Sequence, residues 1–323
     1  MENITPLPSG YTLRRPTSDD LEAVTDLINA CSIDEYGLPD ITAGDLRSDW
    51  QQPGFDLATD AWAVLAPQGQ IIAYADLIKE HGHFFAFVRT HPAHIGQGMA
   101  TALLGLAEAR AGERENELPP EGPHIIRAFT TGVNQSGQRL LEQRGYRAIR
   151  YFWQMKITLT DAPPIPAWPA GTVVRTLAPG EDMQPIHQVV DEAFRDHWEP
   201  EPIDFTEWEQ RWRERAGFDP SLWFIALDGT EIAGVALCRY RVRVAWVGQL
   251  AVRRPWRKQG LGLALLQHAF SEFYRRGERE IGLGVDAQNL TGATRLYEKA
   301  GMRVFKQYDT YEKPLRSTMK EQA

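Results

Sequence analysis

The chain has 323 residues, 43% hydrophobic and 24% charged, the make-up of an ordinary globular protein with length for about two domains. A net charge of −8 argues against a broadly basic surface for DNA or RNA and is compatible with a cationic substrate. Its apolar runs fall short of the roughly 18 residues that cross a bilayer, and residues 1–10 lack the basic start and apolar core of an export signal. A cytoplasmic protein is expected, with no membrane or nucleic-acid partner. Cys31 and Cys238 stand far apart in no metal or redox motif, and read as small core residues.

In chain order, Tyr11 to Arg15 reads as a short strand, and Asp19-Asp20-Leu21 starts an amphipathic helix running to Ala30. Ala61 to Leu65 and Gln70 to Ile78 read as strands joined by the turn Pro67-Gln68-Gly69. Phe84 to Thr90 is a third strand, followed by Gly96-Gln97-Gly98. His81, His83, His91 and His94 have neither nearby cysteines nor helical i, i+4 spacing, so no metal is expected. Glu113 to Pro123, charged and proline-rich, reads as a surface loop, and Asn134 to Tyr146 as a loop, a helix and its glycine stop.

Thr160 to Gly171 holds four prolines, which forbid a regular helix or central strand. The same plan then begins again. Thr172 to Thr176 and the run from Glu181 to Phe194 repeat the opening strand and helix. Trp223 to Leu227 and Glu231 to Tyr240 repeat the strand pair, with the turn Asp228-Gly229-Thr230. A linker at 159–171 therefore separates an expected domain at 1–158 from another at 172–323. In the second copy, Asp204 to Trp212 adds a helix start and an apolar stripe, read as packing or as a pocket wall. Arg239, Arg241 and Arg243 share one strand face, which suits solvent or an anionic ligand.

The richest segment follows. Trp246 to Val252 is a strand, Arg257-Lys258-Gln259-Gly260-Leu261-Gly262 a basic glycine loop, and Leu263 to Phe270 a helix. Backbone N–H groups in a helix's first turn lack intrahelical partners and carry the positive end of the dipole, so a pyrophosphate can sit there. Alone, the loop also reads as a tight turn with solvated charges. Glu280 to Val285 is the next strand, and Asn289, Gly292, Ala293, Leu296, Tyr297 and Gly301 mark a loop, a short helix and its stop.

The ordered pair R-x-x-G-x-G and N-x-x-G-A-x-x-L-Y-E-K-x-G-M resembles the GCN5-related N-acetyltransferase family. The resemblance implies an α/β (mixed) fold: two tandem domains of this type, each a central, mostly antiparallel mixed sheet flanked by helices. It implies acetyl-CoA as co-substrate and a primary amine as acceptor, a small molecule more than a protein. Carried over by motif, Leu250, Ala251 and Val252 would hold the pantetheine arm and thioester carbonyl. Arg257, Lys258, Gln259, Gly260, Leu261 and Gly262 would hold the pyrophosphate, with Asn289 beside them. Tyr297 falls at the general acid; its other reading is a tyrosine closing a helix against the core.

The first copy departs from this pattern at two places. Ala93 stands where Arg257 stands in the second, and Leu141 where Tyr297 stands, while Gly96, Gly98 and Asn134 remain. The first domain is therefore expected to be structural or to bind acyl-CoA without turnover. Many family members carry a glutamate base on the strand before the loop, but Trp246 to Leu250 has no carboxylate. Asp196, His197, Asp286 and Asp309 are open as bases, as is bound water, and His197 beside Trp198 also reads as solvent-facing. Lys306 to Lys313 is expected to close the second domain, with Tyr308 or Asp309 near the acceptor. A non-catalytic acyl-CoA-binding or sensing protein is the alternative, and a monomer or homodimer is expected.

Overall fold

In the computed structural model, the described residues are 6–80, 82–199, 203–214, 217–241, 244–289 and 292–315. They form two compact units, one from residues 1–151 and 308–323 and the other from 152–307. Each is a mixed sheet between helices, with apolar side chains buried on both faces.

Unit 1 runs β1 (Thr12–Arg14), α1 (Leu21–Tyr36), α2 (Ala43–Trp50), α3 (Leu57–Asp60), β2 (Ala61–Leu65), β3 (Ile71–Glu80), β4 (His83–Thr90), α4 (Met99–Glu113), β5 (Ile125–Thr131), α5 (Gln135–Gln143) and the start of β6 (Arg147–Thr158). Unit 2 runs β7 (Thr172–Thr176), α6 (Gln184–Phe194), α7 (Phe205–Glu214), β8 (Trp223–Asp228), β9 (Glu231–Arg241), β10 (Val244–Val252), α8 (Leu261–Arg275), β11 (Glu280–Asp286), α9 (Ala293–Lys299) and the start of β12 (Arg303–Pro314). The described sheet order is β1-β2-β3-β4-β5-β12 in unit 1. It is β7-β8-β9-β10-β11-β6 in unit 2. Pairings are antiparallel except β4 with β5 and β10 with β11.

The boundary falls between Tyr151 and Phe152, ahead of the proline-rich segment, which lies inside unit 2, and each unit takes the last strand of its sheet from the other half of the chain. Residues 152–158 of β6 pair with β11, and residues 308–314 of β12 pair with β5. The expectation that Lys306 to Lys313 closes the second domain is corrected here for Tyr308 onward. Tyr308 donates to Asp40 at 2.9 Å and Asp309 accepts from Gln138 at 3.1 Å, both inside unit 1.

In unit 2, α8 buries Leu261, Leu265, Leu266, Ala269 and Phe270 on one sheet face. On the other face, α6 and α7 bury Ile186, Val189, Val190, Trp208 and Trp212. Trp208 and Trp212 therefore act as core, with their rings 5.7 and 5.0 Å from Trp223. Among the described residues no helix is long and apolar enough to cross a membrane.

Candidate active site

The site begins with a fault in β10. Its register against β9 shifts between Val247 and Gln249, leaving Gly248 as an extra residue. A bulge reverses which face each later side chain takes. Ala245 and Val247 lie in the core under α8, whereas Ala251 lies in the core under α6. Glycine is required there because a Cβ would sit 2.9 Å from Trp212 Cη2.

Beside the bulge the sheet opens. β10 pairs with β11 only from Ala245 to Val247, while β11 stays paired with β6 through Asp286. Arg253 donates its N–H to the Ala233 carbonyl at 3.0 Å. By the two-residue alternation of a strand, Ala251 also aims its amide at β9, and Leu250 and Val252 aim theirs at the gap. Those amides suit an extended, amide-bearing arm laid in the gap.

The loop ends at the N-terminus of α8. Gly260 caps the helix at φ 89°, with no side-chain cap, and Lys258 is also left-handed at φ 62°. The first-turn amides are thus free of a side-chain cap, as an anion site needs. At Gly262, a Cβ would lie 3.0 Å from Leu296 Cδ1 and 3.6 Å from Val252 Cγ2, so α8, α9 and β10 converge at this glycine. Gln259 donates to the Pro255 carbonyl at 2.8 Å, and Lys258 is exposed.

Arg257, expected to add charge for the phosphates, has partners of its own. It donates to Asp196 at 2.8 Å, to the Val252 carbonyl at 3.0 Å and to the Ala193 carbonyl at 3.2 Å. Arg254 reaches the other oxygen of Asp196 at 2.6 Å. These two guanidiniums hold the Asp196 carboxyl down at about 2. The chain after α6 is thereby tied to the glycine loop, a link the sequence reading missed because the partners lie 61 residues apart.

Tyr297, on α9, is 8% exposed and packs in the core with Leu261, Leu265 and Val285. Its hydroxyl makes no hydrogen bond to a described residue, and burial pushes its pKa up to about 12. The end of α9 is fixed by left-handed Gly301, after which Met302 N–H donates to the Tyr297 carbonyl at 3.0 Å. Asn289 donates its N–H to the Asp286 carbonyl at 3.0 Å, turning the chain out of β11 toward α9.

His197 stacks on Phe194 with ring centroids 4.2 Å apart, half-buried rather than solvent-facing. Burial lowers its pKa below 6.5, opposed by the nearby carboxylates of Asp286 and Asp196 and assisted by Arg257. The guanidinium of Arg241 lies 5.2 Å from the Trp246 ring; Arg243 lies outside the described residues. Burial raises both thiols, Cys31 to about 11, so neither is primed as a nucleophile. No group of three or more His, Cys, Asp or Glu among the described residues is placed to hold a metal; His81 lies outside them.

Unit 1 repeats part of the same frame. Gly98 caps α4 at φ 84°, Gly96 has φ 83°, and β4 pairs with β5 only from Phe84 to Ala86. β4 carries no bulge against β3. Leu141, in place of the tyrosine, is packed in the core at 5% exposure. Asn134 accepts from Gly137 N–H and donates to Glu35, which makes it a helix cap.

The family model described as Acetyltransferase (GNAT) family matches residues 183–302. A solved GCN5-related N-acetyltransferase from Sphaerobacter thermophilus is 37% identical, with TM-score 0.82 over 97% of this chain and 98% of that one. The chain belongs to the GCN5-related N-acetyltransferase family. It is accordingly an acyltransferase, and the GNAT frame is present twice. A tandem GNAT protein from the clavulanic acid biosynthesis pathway shares the fold, with TM-score 0.72 at 15% identity over 95% of this chain and 99% of that one. Among curated relatives of this GNAT protein, the mycothiol acetyltransferase of Actinosynnema mirum is 27% identical over 72% of this chain and 76% of its own length. That of Salinispora arenicola is 29% identical over 69% and 71%.

Proposed function

We propose that unit 2 transfers the acetyl group of acetyl-CoA to a primary amine of a small molecule, by direct attack within a ternary complex. The observation that carries this reading is a conjunction confined to unit 2 among the described residues. There the bulged and splayed β10, the glycine-capped α8 and the buried hydroxyl of Tyr297 occur together. Unit 1 has the glycine cap and the splay but neither bulge nor tyrosine, and we assign it a non-catalytic role. Relatives that are mycothiol acetyltransferases support a small-molecule acceptor over a protein one.

In this reading, the first-turn amides of α8 receive the pyrophosphate, with Lys258 and Gln259 at its edge. The amides of Leu250 and Val252 receive the pantetheine arm and steady the thioester oxygen as charge builds on it. Arg257 keeps loop, strand and α6 in register, and Asn289 shapes the turn toward Tyr297. A thiol ordinarily ionises near 8.5, well below the pKa of about 12 that burial gives Tyr297. Full proton transfer from Tyr297 to the departing thiolate is therefore uphill. Its part is a hydrogen bond to sulfur that strengthens as the C–S bond breaks, and solvent completes the protonation.

The test is calorimetric titration with acetyl-CoA, read for stoichiometry, in Gly260→Glu and Gly98→Glu. Both glycines cap their helices in the left-handed region, so backbone strain is matched and only position differs. One site, lost in Gly260→Glu and kept in Gly98→Glu, is expected. Absence of binding to the intact protein overturns the reading, and two sites would make unit 1 a second acyl-CoA-binding unit instead of a purely structural one. A screen of small primary amines, read by release of free thiol, then separates an enzyme from a binding protein.

A further inference from the structure

Gln249 directly follows the bulge in β10. Its Oε1 is buried and has no hydrogen-bond partner among the described residues. A buried carbonyl left without a donor is costly, and beside the opening between β10 and β11 the missing donor is most simply a ligand N–H. Which face it serves follows from the bulge. Beyond Gly248, Ala251 faces the α6 side of the sheet, and Gln249, two residues earlier, takes the same face.

The end of α6 supplies the second group on that face. The chain from Ala193 to His197 is held against the donor loop by Arg257 and by Arg254 through Asp196. His197 N–H donates to the Phe194 carbonyl at 2.9 Å, and its ring stacks on Phe194. Asp286, within electrostatic reach of that ring, ends β11 where the gap is open.

We propose that Gln249 and His197 are the amine-handling pair of unit 2, Gln249 accepting a hydrogen bond from the attacking nitrogen and His197 taking its proton. The amine enters uncharged. As its nitrogen forms the bond to the thioester carbon, its acidity rises, and the proton it sheds passes to the imidazole. The C–S electron pair leaves with sulfur, and His197 returns the proton to solvent. A base that is mostly neutral at pH 7 suits this step, and burial together with Arg257 holds His197 in that form. Asp286 and Asp196 oppose the effect without reversing its direction.

This inference rests on the placement of acetyl transfer in unit 2, and its test separates the two. Histidine ring-labelled protein is titrated by NMR with and without acetyl-CoA, the His197 signal being assigned by its loss in His197→Gln. A midpoint below 6.5 that moves when acetyl-CoA binds is expected; a midpoint at or above 6.5, or one indifferent to acetyl-CoA, overturns the role of His197 without any acceptor in hand. Kinetics follow on the amine returned by the screen, with ethanolamine as the fixed bare-amine probe. His197→Gln and His197→Asn should lower kcat about 100-fold and flatten the acid limb of the pH profile. Gln249→Ala should raise KM for the amine about tenfold and leave KM for acetyl-CoA unchanged. If Tyr297→Phe slows turnover while the Gln249 and His197 variants match the wild type in rate and pH profile, this pair is overturned and the site stands. If the intact protein neither binds nor consumes acetyl-CoA, the underlying reading fails first.

Discussion

Arg257 meets Asp196 at 2.8 Å, and through that contact the loop ahead of α8 is fastened to the chain that leaves α6. With Arg257 also holding the Val252 and Ala193 carbonyls, one guanidinium joins the glycine loop, the bulged strand and α6. Lysine has no planar fork to serve three acceptors at once. Arg257→Lys is therefore expected to weaken acetyl-CoA binding about tenfold and to lower turnover on the amine as well. The sign with pH follows from Asp196, whose folded pKa is depressed to about 2. Its contribution is complete above the ordinary aspartate value of about 3.9 and is lost as pH falls toward 2. Acetyl-CoA affinity should thus be insensitive to this pair from pH 5 upward, as calorimetry at stepped pH would show.

Tyr297→Phe removes one hydroxyl and keeps the ring that packs against Leu261 and Leu265. A hydrogen bond to a developing charge is worth about 1.5–3 kcal/mol, so kcat is expected to drop about 10- to 100-fold. The acetyl-CoA dissociation constant should not change. Because burial lifts the hydroxyl to about 12, no loss of rate from its ionisation is expected below pH 10. Stopped-flow thiol release across pH 6–10 in both proteins checks both statements.

The sequence makes some of this site legible and hides the rest for physical reasons. Gly260 and Gly98 are readable because a left-handed helix cap favours glycine, and the fold uses both in that role. The repeat is readable because each copy must present the same strand periods to a core. Strand exchange is not: Arg303–Pro314 reads as a good strand whichever sheet receives it, and local pattern carries no address. The single glycine inside β10 was a signal of a bulge that went unused. Asp196 shows nothing in sequence of its link to Arg257. Gln249 could be noticed only as a missing carboxylate, since its empty carbonyl is visible only once its surroundings are built.

Gly282 faces Trp246 as its register partner across β10 and β11, and a Cβ there would lie 2.5 Å from Trp246 Cζ3. The indole is thus laid over a glycine in the last paired stretch before the gap. Gly282→Ala is expected to destabilise by about 1–3 kcal/mol through overpacking. The cost should shrink when Trp246→Leu is present, because the clash is with that ring and not with the sheet. A double-mutant cycle from urea denaturation measures this coupling; equal cost in both backgrounds would show that the indole is not the obstacle.

Asp76 is one of the buried carboxyls of unit 1. It accepts from the Tyr74 hydroxyl at 2.7 Å, which itself accepts from Trp50 at 2.8 Å. Burial raises Asp76 to about 7, with Asp49 adding to the rise and Tyr74 and Arg89 opposing it. The fold does not require a carboxyl at this place. Ala73 pairs with Thr90 as Gly234 pairs with Val252, which sets Tyr74 and Asp76 against Val235 and Leu237, both fully buried. An unfolded aspartate ionises near 3.9, so between about pH 4 and the folded value of about 7 the folded state holds a proton that the unfolded state has lost. Stability should therefore fall as pH rises through that window and level off above it, the reverse of an ion-paired carboxylate. Asp76→Asn keeps the shape and removes the titration, so its melting temperature should exceed that of the wild type at pH 8 by more than at pH 5. Melting curves at the two pH values decide it, and a gap that does not widen would mean that Asp76 stays ionised in the fold.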